Sequence, residues 1–190
     1  MCNFSFAEFV SASIHRSGRF LTEIIIMNEA EFNKSFVRSN SVINLLNSIP
    51  MFDKLTHKEI KTLALQMKAR RCEPGKVLFT EGEKGDYVVF IVSGTLEVLK
   101  TARTSEDIFI ATIGKGRTIG EMAIIDEYPR SATIRAKAQS IFLIMTRDHF
   151  DHILYEYPSI GIKVLKGIAR QISLNLRKTS SRLAEYMLPL

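Results

Sequence analysis

The spacing of apolar residues changes twice along this chain of 190 residues. Between residues 28 and 68, apolar side chains recur every three or four positions, which predicts helices. Pro50 ends one of these helices, because proline cannot continue a helix. Thr56 has a glutamate, Glu59, three residues later, which is the sequence pattern of a capping box. We therefore expect a second helix to begin directly after Thr56.

From residue 69 to residue 146 the helical spacing gives way to short segments rich in β-branched and aromatic residues. Turn sequences that contain glycine or proline separate them: EPGK at 73–76, EGEKGD at 81–86, SGT at 93–95, GKG at 114–116 and YPR at 128–130. Short strands at this rhythm predict a compact antiparallel sandwich or barrel rather than alternating strands and helices. The segment YVVFIV at 87–92 is apolar at every position, so we expect that strand to be covered on both faces.

Helical spacing returns after residue 146, and Pro158 is suited to open a long C-terminal helix. Its apolar stripe consists of Ile160, Val164, Leu165, Ile168, Ile172 and Leu176, continued by Leu183 and Tyr186. Such a stripe can dock on the β structure, form a two-helix dimer seam, or both. The pattern divides the chain into an N-terminal extension that could be disordered (1–27), a helical lead-in (28–68), a β domain (69–146) and C-terminal helices (147–190).

Composition narrows the class of protein. An apolar fraction of 46% with mixed charge is typical of globular chains. The longest apolar run near the start, IIIM at 24–27, is too short to span a membrane, and charged residues interrupt any secretory signal. Two cysteines, Cys2 and Cys72, give no disulfide framework and suit a reducing compartment. We expect a cytoplasmic protein without membrane contact.

The net charge of +6 invites a nucleic-acid partner, and much of it comes from the C-terminal helix. Basic residues near the end of a helix are also favourable without any partner. The His149 and His152 pair has metal-ligand spacing, but no further histidine or cysteine pair supports a metal site, and we expect none. No nucleophile motif or triphosphate-binding loop is present, so we do not expect an enzyme.

Two charges interrupt the apolar pattern of the β domain in the segment GEMAIIDEYPRSAT at 120–133. Residues 121–123 favour a helix of one or two turns, whose free N–H groups would attract an anion, and Gly120 would let a ligand approach the backbone. Pro129 would return the chain to a strand at Arg130, whose guanidinium suits a phosphate. Glu121 could then accept hydrogen bonds from sugar hydroxyls, which points to a nucleotide. Alternatively, Glu121 and Arg130 form only an ion pair.

The segment IGEMAIIDEYPRSATIRA resembles the phosphate-binding cassette of the cyclic nucleotide-binding domain family. Upstream, PGKVLFTEGEKGDYVVFIVSGTLEVL is similar to the opening strands of that family, and IPMFDKLTHKEIKTLA to its helical lead-in. The resemblance covers roughly residues 44–181. It implies a mainly β fold, an antiparallel β-roll of jelly-roll type with N-terminal helices and a long C-terminal helix.

Carried onto this sequence, the resemblance implies that Glu121 binds the ribose 2′-hydroxyl of a cyclic nucleotide. The backbone N–H groups of Met122 and Ala123 would meet the cyclic phosphate. Arg130 would neutralise that phosphate, and the Ala132 N–H would add a further contact. These roles make the protein a regulatory sensor rather than an enzyme.

Gly120 and Ser131 complete the predicted site. The Ser131 hydroxyl could contact the phosphate or the 2-amino group of a guanine, so cAMP and cGMP both remain open, with cAMP favoured. Ile119 stands where the family often has phenylalanine, and we expect no DNA-binding helix-turn-helix in the residues after Pro158. We expect the ligand to reposition the C-terminal helix, which would contact a second copy or an effector protein. The alternatives are a scaffold β-roll without a nucleotide, and a regulator that binds DNA through its basic helix.

Overall fold

The computed structural model describes residues 36–102 and 107–187. Two helices precede the β structure, α1 (Asn40–Ser48) and α2 (His57–Ala64), with a 3-10 turn at Pro50–Phe52 between them. The predicted capping box is confirmed: Thr56 Oγ1 accepts from the Glu59 N–H at 3.3 Å, and the Thr56 N–H donates to Glu59 Oε2 at 2.7 Å. The extension at 1–27 lies outside the described residues, and the domain boundaries drawn from the sequence stay a prediction.

Eight strands follow in two antiparallel sheets, which confirms the predicted β-roll with flanking helices. They are β1 (Lys68–Cys72), β2 (Val77–Phe79), β3 (Tyr87–Ser93), β4 (Thr95–Thr101), β5 (Asp107–Gly114), β6 (Thr118–Ile119), β7 (Thr133–Ala136) and β8 (Ser140–Thr146). The first sheet has the order β1-β8-β3-β6 and the second the order β2-β7-β4-β5. A 3-10 turn at Met122–Ile124 lies between β6 and β7.

Strand β3 is buried on both faces, as the sequence predicts. Val88 and Phe90 pack against the helices, whereas Val89 and Ile91 pack between the two sheets. All four side chains have 0% exposure. The strand therefore joins two apolar cores, and this double coverage explains why its sequence does not alternate.

Two helices follow the sheets, α3 (Arg147–Glu156) and α4 (Pro158–Met187). The first half of α4 packs closely: a Cβ atom on Gly161 would lie 2.7 Å from the Leu154 side chain, and one on Gly167 would overlap the Met51 carbonyl. Lys163 Nζ donates to both carboxylate oxygens of Glu59, at 2.7 and 2.9 Å. These contacts hold the start of α4 against α2 and α3.

The apolar stripe predicted for α4 does not form one continuous buried face. Ile160, Val164 and Ile168 are buried in the helical core, but Leu165 and Leu176 are 41% and 65% exposed. The physical reason is that Leu165 and Leu176 lie about 100° and 120° around the helix axis from the mean direction of the three core-facing side chains. No described helix is long and apolar enough to cross a membrane.

Candidate ligand-binding site

A cavity of about 800 Å³ lies between the second sheet, the segment that joins β6 to β7, and the C-terminal half of α4. All seven residues predicted from the sequence line it: Gly120, Glu121, Met122, Ala123, Arg130, Ser131 and Ala132. The fold thus brings the two ends of one chain segment together around one space. Their contacts with a ligand stay a prediction.

The turn at the start of this segment is shorter than the sequence suggests. Residues Met122–Ile124 form a single 3-10 turn in place of a helix of one or two turns, and Gly120 precedes it with a φ of +75°. The Ala123 N–H donates to the Gly120 carbonyl at a long 3.3 Å. No group in the described ranges accepts a hydrogen bond from the Met122 N–H. Two neighbouring amides are therefore free or weakly held at the cavity.

Arg130 is 4% exposed and lies between two aromatic rings, with its guanidinium carbon 4.0 Å from the centre of Phe79 and 4.4 Å from that of Tyr87. Its Nη1 donates to the Tyr87 carbonyl at 2.9 Å and, at 3.5 Å, to the Gly120 carbonyl. Its Nε and Nη2 are buried and have no hydrogen-bond partner in the part of the chain that the structure describes. The guanidinium therefore keeps unused donors beside the cavity.

Strand β7 begins at Thr133 rather than at Arg130. The Arg130 backbone is instead held by the turn before β3, since its N–H donates to the Glu83 carbonyl at 2.8 Å and its carbonyl accepts from the Gly82 N–H at 2.9 Å. This pairing with a neighbouring turn points the side chain at the cavity.

Burial shifts the pKa of both ionisable groups of the site, Arg130 and Glu121. It lowers the pKa of Arg130, and the nearby Tyr87, Asp86 and Glu83 only partly oppose it. Burial also raises the pKa of Glu121, against the lowering effects of its own backbone N–H and of Arg117. Each group is therefore costly to keep charged in the absence of a binding partner.

Glu121 and Arg130 do not form the ion pair that the sequence left as an alternative: within 36–102 and 107–187 no salt bridge joins them. Glu121 is 9% exposed. Two opposite charges that share one cavity without contact leave room for a ligand between them.

The second end of the segment is fixed by a lysine that the sequence did not single out. Lys100 Nζ donates to the Ser131 carbonyl at 2.9 Å and pairs with Glu81. Glu81 in turn accepts from the Thr101 N–H at 2.9 Å. Ser131 is exposed and Ala132 half-buried, so the Ser131 hydroxyl and the Ala132 backbone stay accessible.

The sequence also missed the contribution of α4. Five polar side chains of that helix line the cavity: Gln171, Asn175, Lys178, Thr179 and Arg182. These side chains lie on the same face of α4 that is apolar and buried in the first half of the helix. The change from apolar to polar residues along that face is a feature of the sequence that could have predicted a cavity there. The Gln171 amide donates to Asn175 Oδ1 at 3.2 Å. Among the described residues no group of three side chains could hold a metal ion, and His149 instead bonds Thr146 Oγ1 at 2.7 Å.

Comparison with known proteins agrees with this geometry. Residues 69–157 match the family described as the cyclic nucleotide-binding domain. A solved cyclic nucleotide-binding domain from Methylobacillus flagellatus is 28% identical, with a TM-score of 0.71 over 82% of this chain and 86% of that one.

Two curated relatives are longer than the region that they share with this chain. A cAMP-dependent protein kinase regulatory subunit from Yarrowia lipolytica is 32% identical over 57% of this chain and 28% of its own length. A cyclic AMP receptor protein from Thermus thermophilus is 28% identical over 65% of this chain and 57% of its own length. This chain thus spans less than two thirds of either relative. The β-roll and the cassette of residues 69–157 thus match the cyclic nucleotide-binding domain family.

Proposed function

We propose that this chain is a regulatory sensor that binds one cyclic nucleotide, preferably cAMP, in the cavity between the second sheet and α4. The buried Arg130 guanidinium carries this proposal, because two of its nitrogens have no partner in the described part of the chain. A buried cation with unused donors is expensive unless an anion meets it. A cyclic phosphate would supply one charge and several acceptor oxygens at that position.

The other groups around the cavity fit the remaining parts of a cyclic nucleotide. The N–H groups of Met122, Ala123 and Ala132 would donate to the phosphate oxygens. Glu121 lies apart from Arg130 and would accept a hydrogen bond from the ribose 2′-hydroxyl. That contact would compensate for the burial that raises the pKa of Glu121.

The preference for adenine rests on the face of α4. Gln171 and Asn175 line the cavity and bond each other, which leaves one amide oxygen and one amide NH₂ unused. Asparagine and glutamine side chains pair well with the donor and acceptor of an adenine edge. Ser131 is compatible with either purine, so cGMP would bind more weakly rather than be excluded.

Repositioning of α4 would carry the signal. Its first half is fixed by Gly167 and by the Lys163–Glu59 pair, whereas its polar second half lines the cavity and is mostly exposed. A ligand that contacts this second half binds one position of the helix better than others, which is the requirement for a population shift. The output is therefore regulatory rather than catalytic.

A second copy of this chain is the proposed partner of α4. Large exposed side chains recur along one face of the helix: Ile162, Leu165, Leu176, Leu183 and Met187. With Ala169 and Ile172, the positions from Ile162 to Leu176 follow the alternation of three and four residues that is typical of a two-helix seam, and Leu183 lies one heptad further on. Light scattering of the protein and of L176E should show a dimer and a monomer, respectively; a monomer for both would point to an effector protein instead.

Isothermal titration with cAMP and cGMP tests the proposed function. The matched control is Arg135→Ala, because Arg135 is a half-buried arginine of the neighbouring strand β7 that pairs with Glu97 at 3.0 Å outside the cavity. We expect binding to be lost in Arg130→Ala and kept in Arg135→Ala. No binding of either nucleotide by the wild-type protein would favour the scaffold alternative. Strongly salt-dependent binding to duplex DNA of arbitrary sequence would favour the DNA regulator.

A further inference from the structure

Arg147, the first residue of α3, contacts the segments that surround the Arg130 guanidinium. Its Nη2 donates to the Ala123 carbonyl in the 3-10 turn and, at 3.4 Å, to the Gly85 carbonyl. Its Nη1 pairs with Glu127 Oε1 at 2.5 Å. The side chain is 17% exposed, so these contacts are made largely away from water.

One of these two carbonyls belongs to Gly85, whose backbone lies beside both Arg130 and Ala123. A Cβ atom on Gly85 would lie 2.7 Å from Arg130 Nε and 2.7 Å from the Ala123 Cβ. The backbone of Gly85 therefore touches both the guanidinium and the turn. Arg147 holds this backbone and the turn together from the side that faces α3.

The two arginines also hold the carbonyls of two consecutive residues at the start of β3, Asp86 directly before the strand and Tyr87 as its first residue. The Arg147 N–H donates to the Asp86 carbonyl at 2.7 Å, and Arg130 Nη1 donates to the next carbonyl, that of Tyr87, at 2.9 Å. A movement of Arg130 toward an anion would pull on the start of β3. The same backbone carries that displacement to the first residue of α3.

From these contacts we propose that Arg147 is a positioning residue that couples occupancy of the Arg130 site to α3 and α4. An anion that accepts a hydrogen bond from the Ala123 N–H must draw it from the Gly120 carbonyl, at 3.3 Å in this structure. The Ala123 carbonyl moves with the turn and takes the Arg147 guanidinium with it. Helix α3 then carries the change to α4, because Leu154 is in close contact with Gly161.

Glu127 is the matched control for this role. It has a φ of 57° and is 70% exposed, and its pair with Arg147 lies on the solvent side of the guanidinium. Glu127→Gln removes the ion pair and leaves the donors to the Gly85 and Ala123 carbonyls. Arg147→Gln removes those donors as well, while Arg147→Lys keeps the charge and loses the planar fork that can serve two acceptors.

Hydrogen exchange of these variants tests the coupling, in the absence of ligand and with saturating cAMP. Without ligand, we expect Arg147→Gln to raise the exchange rate of the turn at 121–126 by about tenfold, Arg147→Lys by less, and Glu127→Gln hardly at all. With cAMP, we expect the change in exchange over 173–187 to fall by at least half in Arg147→Gln. Unchanged exchange at 121–126, or a full response of 173–187 in Arg147→Gln, would overturn the inference.

The hydrogen-exchange measurement with cAMP depends on the proposed function, because it requires that the protein binds cAMP. The measurement without ligand does not depend on it. If the wild-type protein binds no cAMP, the proposed function fails, and the ligand-free rates still decide whether Arg147 holds the turn. If the wild-type protein binds cAMP without any change over 173–187, the coupling role is wrong even though the sensor stands. Should Arg147→Gln unfold by circular dichroism, the same comparison is made with Arg147→Lys.

Discussion

Replacement of Arg130 by methionine should strongly weaken cyclic nucleotide binding and leave the fold intact. Removing one partner of a buried, hydrogen-bonded charge pair costs about 2–5 kcal/mol of binding free energy. At about 1.4 kcal/mol for each factor of ten, the affinity should fall by roughly 30-fold to several thousand-fold. Arg130→Lys should recover part of it, because lysine keeps the charge and loses the two parallel donors.

The ligand-free protein should tolerate this change because two effects oppose each other. The variant loses the 2.9 Å bond to the Tyr87 carbonyl, and an unsatisfied buried carbonyl costs about 1–3 kcal/mol. It also removes a guanidinium that is 4% exposed and has two nitrogens without a partner among the described residues, a burial that is itself unfavourable. We therefore expect the free energy of unfolding to change by less than about 2 kcal/mol.

Thermal unfolding with and without cAMP measures both effects in one experiment. At a cAMP concentration of 100 times the wild-type dissociation constant, the ligand should stabilise the wild-type protein by about 2.7 kcal/mol. For a chain of this size that corresponds to a rise in melting temperature of roughly 5–10 °C. In Arg130→Met the shift should fall to about a third of this value or less, as expected for an affinity loss of 30-fold or more, whereas Arg135→Met should keep it. A full cAMP shift in Arg130→Met would refute the role of the guanidinium.

The remaining predictions concern Glu121 and two glycines. Glu121→Gln should weaken cAMP binding by roughly 10- to 150-fold in titration calorimetry, the equivalent of one hydrogen bond to a charged group; unchanged affinity would remove Glu121 from the ribose. Burial raises the pKa of Glu121, so the folded protein loses stability as the pH rises through that raised pKa. In urea titrations at several pH values, the free energy of unfolding of Glu121→Gln should therefore fall less over the same pH range. Gly120→Ala should lower the free energy of unfolding in urea by about 1–3 kcal/mol, because φ is +75° and the new Cβ would lie 2.5 Å from Arg130 Nη1. A smaller decrease would show that the guanidinium moves freely. Gly167→Ala should destabilise by at least about 2 kcal/mol, since its Cβ would overlap the Met51 carbonyl, and wild-type stability would show that α4 is not held there.

The order of helices and strands could be predicted from the sequence because it depends on local patterns. The capping box at Thr56 and Glu59 needs only three residues between its partners, and it forms as expected. The apolar run of β3 predicts coverage on both faces, and the structure supplies two cores for it. The seven residues of the predicted cassette also line one cavity, because the segment that carries them is continuous in sequence.

The contacts of the cassette could not be predicted in this way, because they join residues far apart in the chain. Arg130 bonds the carbonyl of Tyr87, 43 positions earlier, and the sequence cannot show that its other donors stay unused. The sequence likewise left open whether Glu121 pairs with Arg130. The expected helix became a single 3-10 turn at Met122–Ile124.

The sequence by itself therefore determined the order of helices and strands and the resemblance of one segment to a known cassette, since both depend on short-range spacing and residue type. The tertiary structure alone decided which side chains share the cavity. It placed the polar face of α4, including Gln171 and Asn175, over a cassette that is distant in sequence. It also joined Arg147 to Gly85 and Ala123, 62 and 24 positions away. Such contacts follow from the packing of whole elements against each other, which no local pattern of residues encodes.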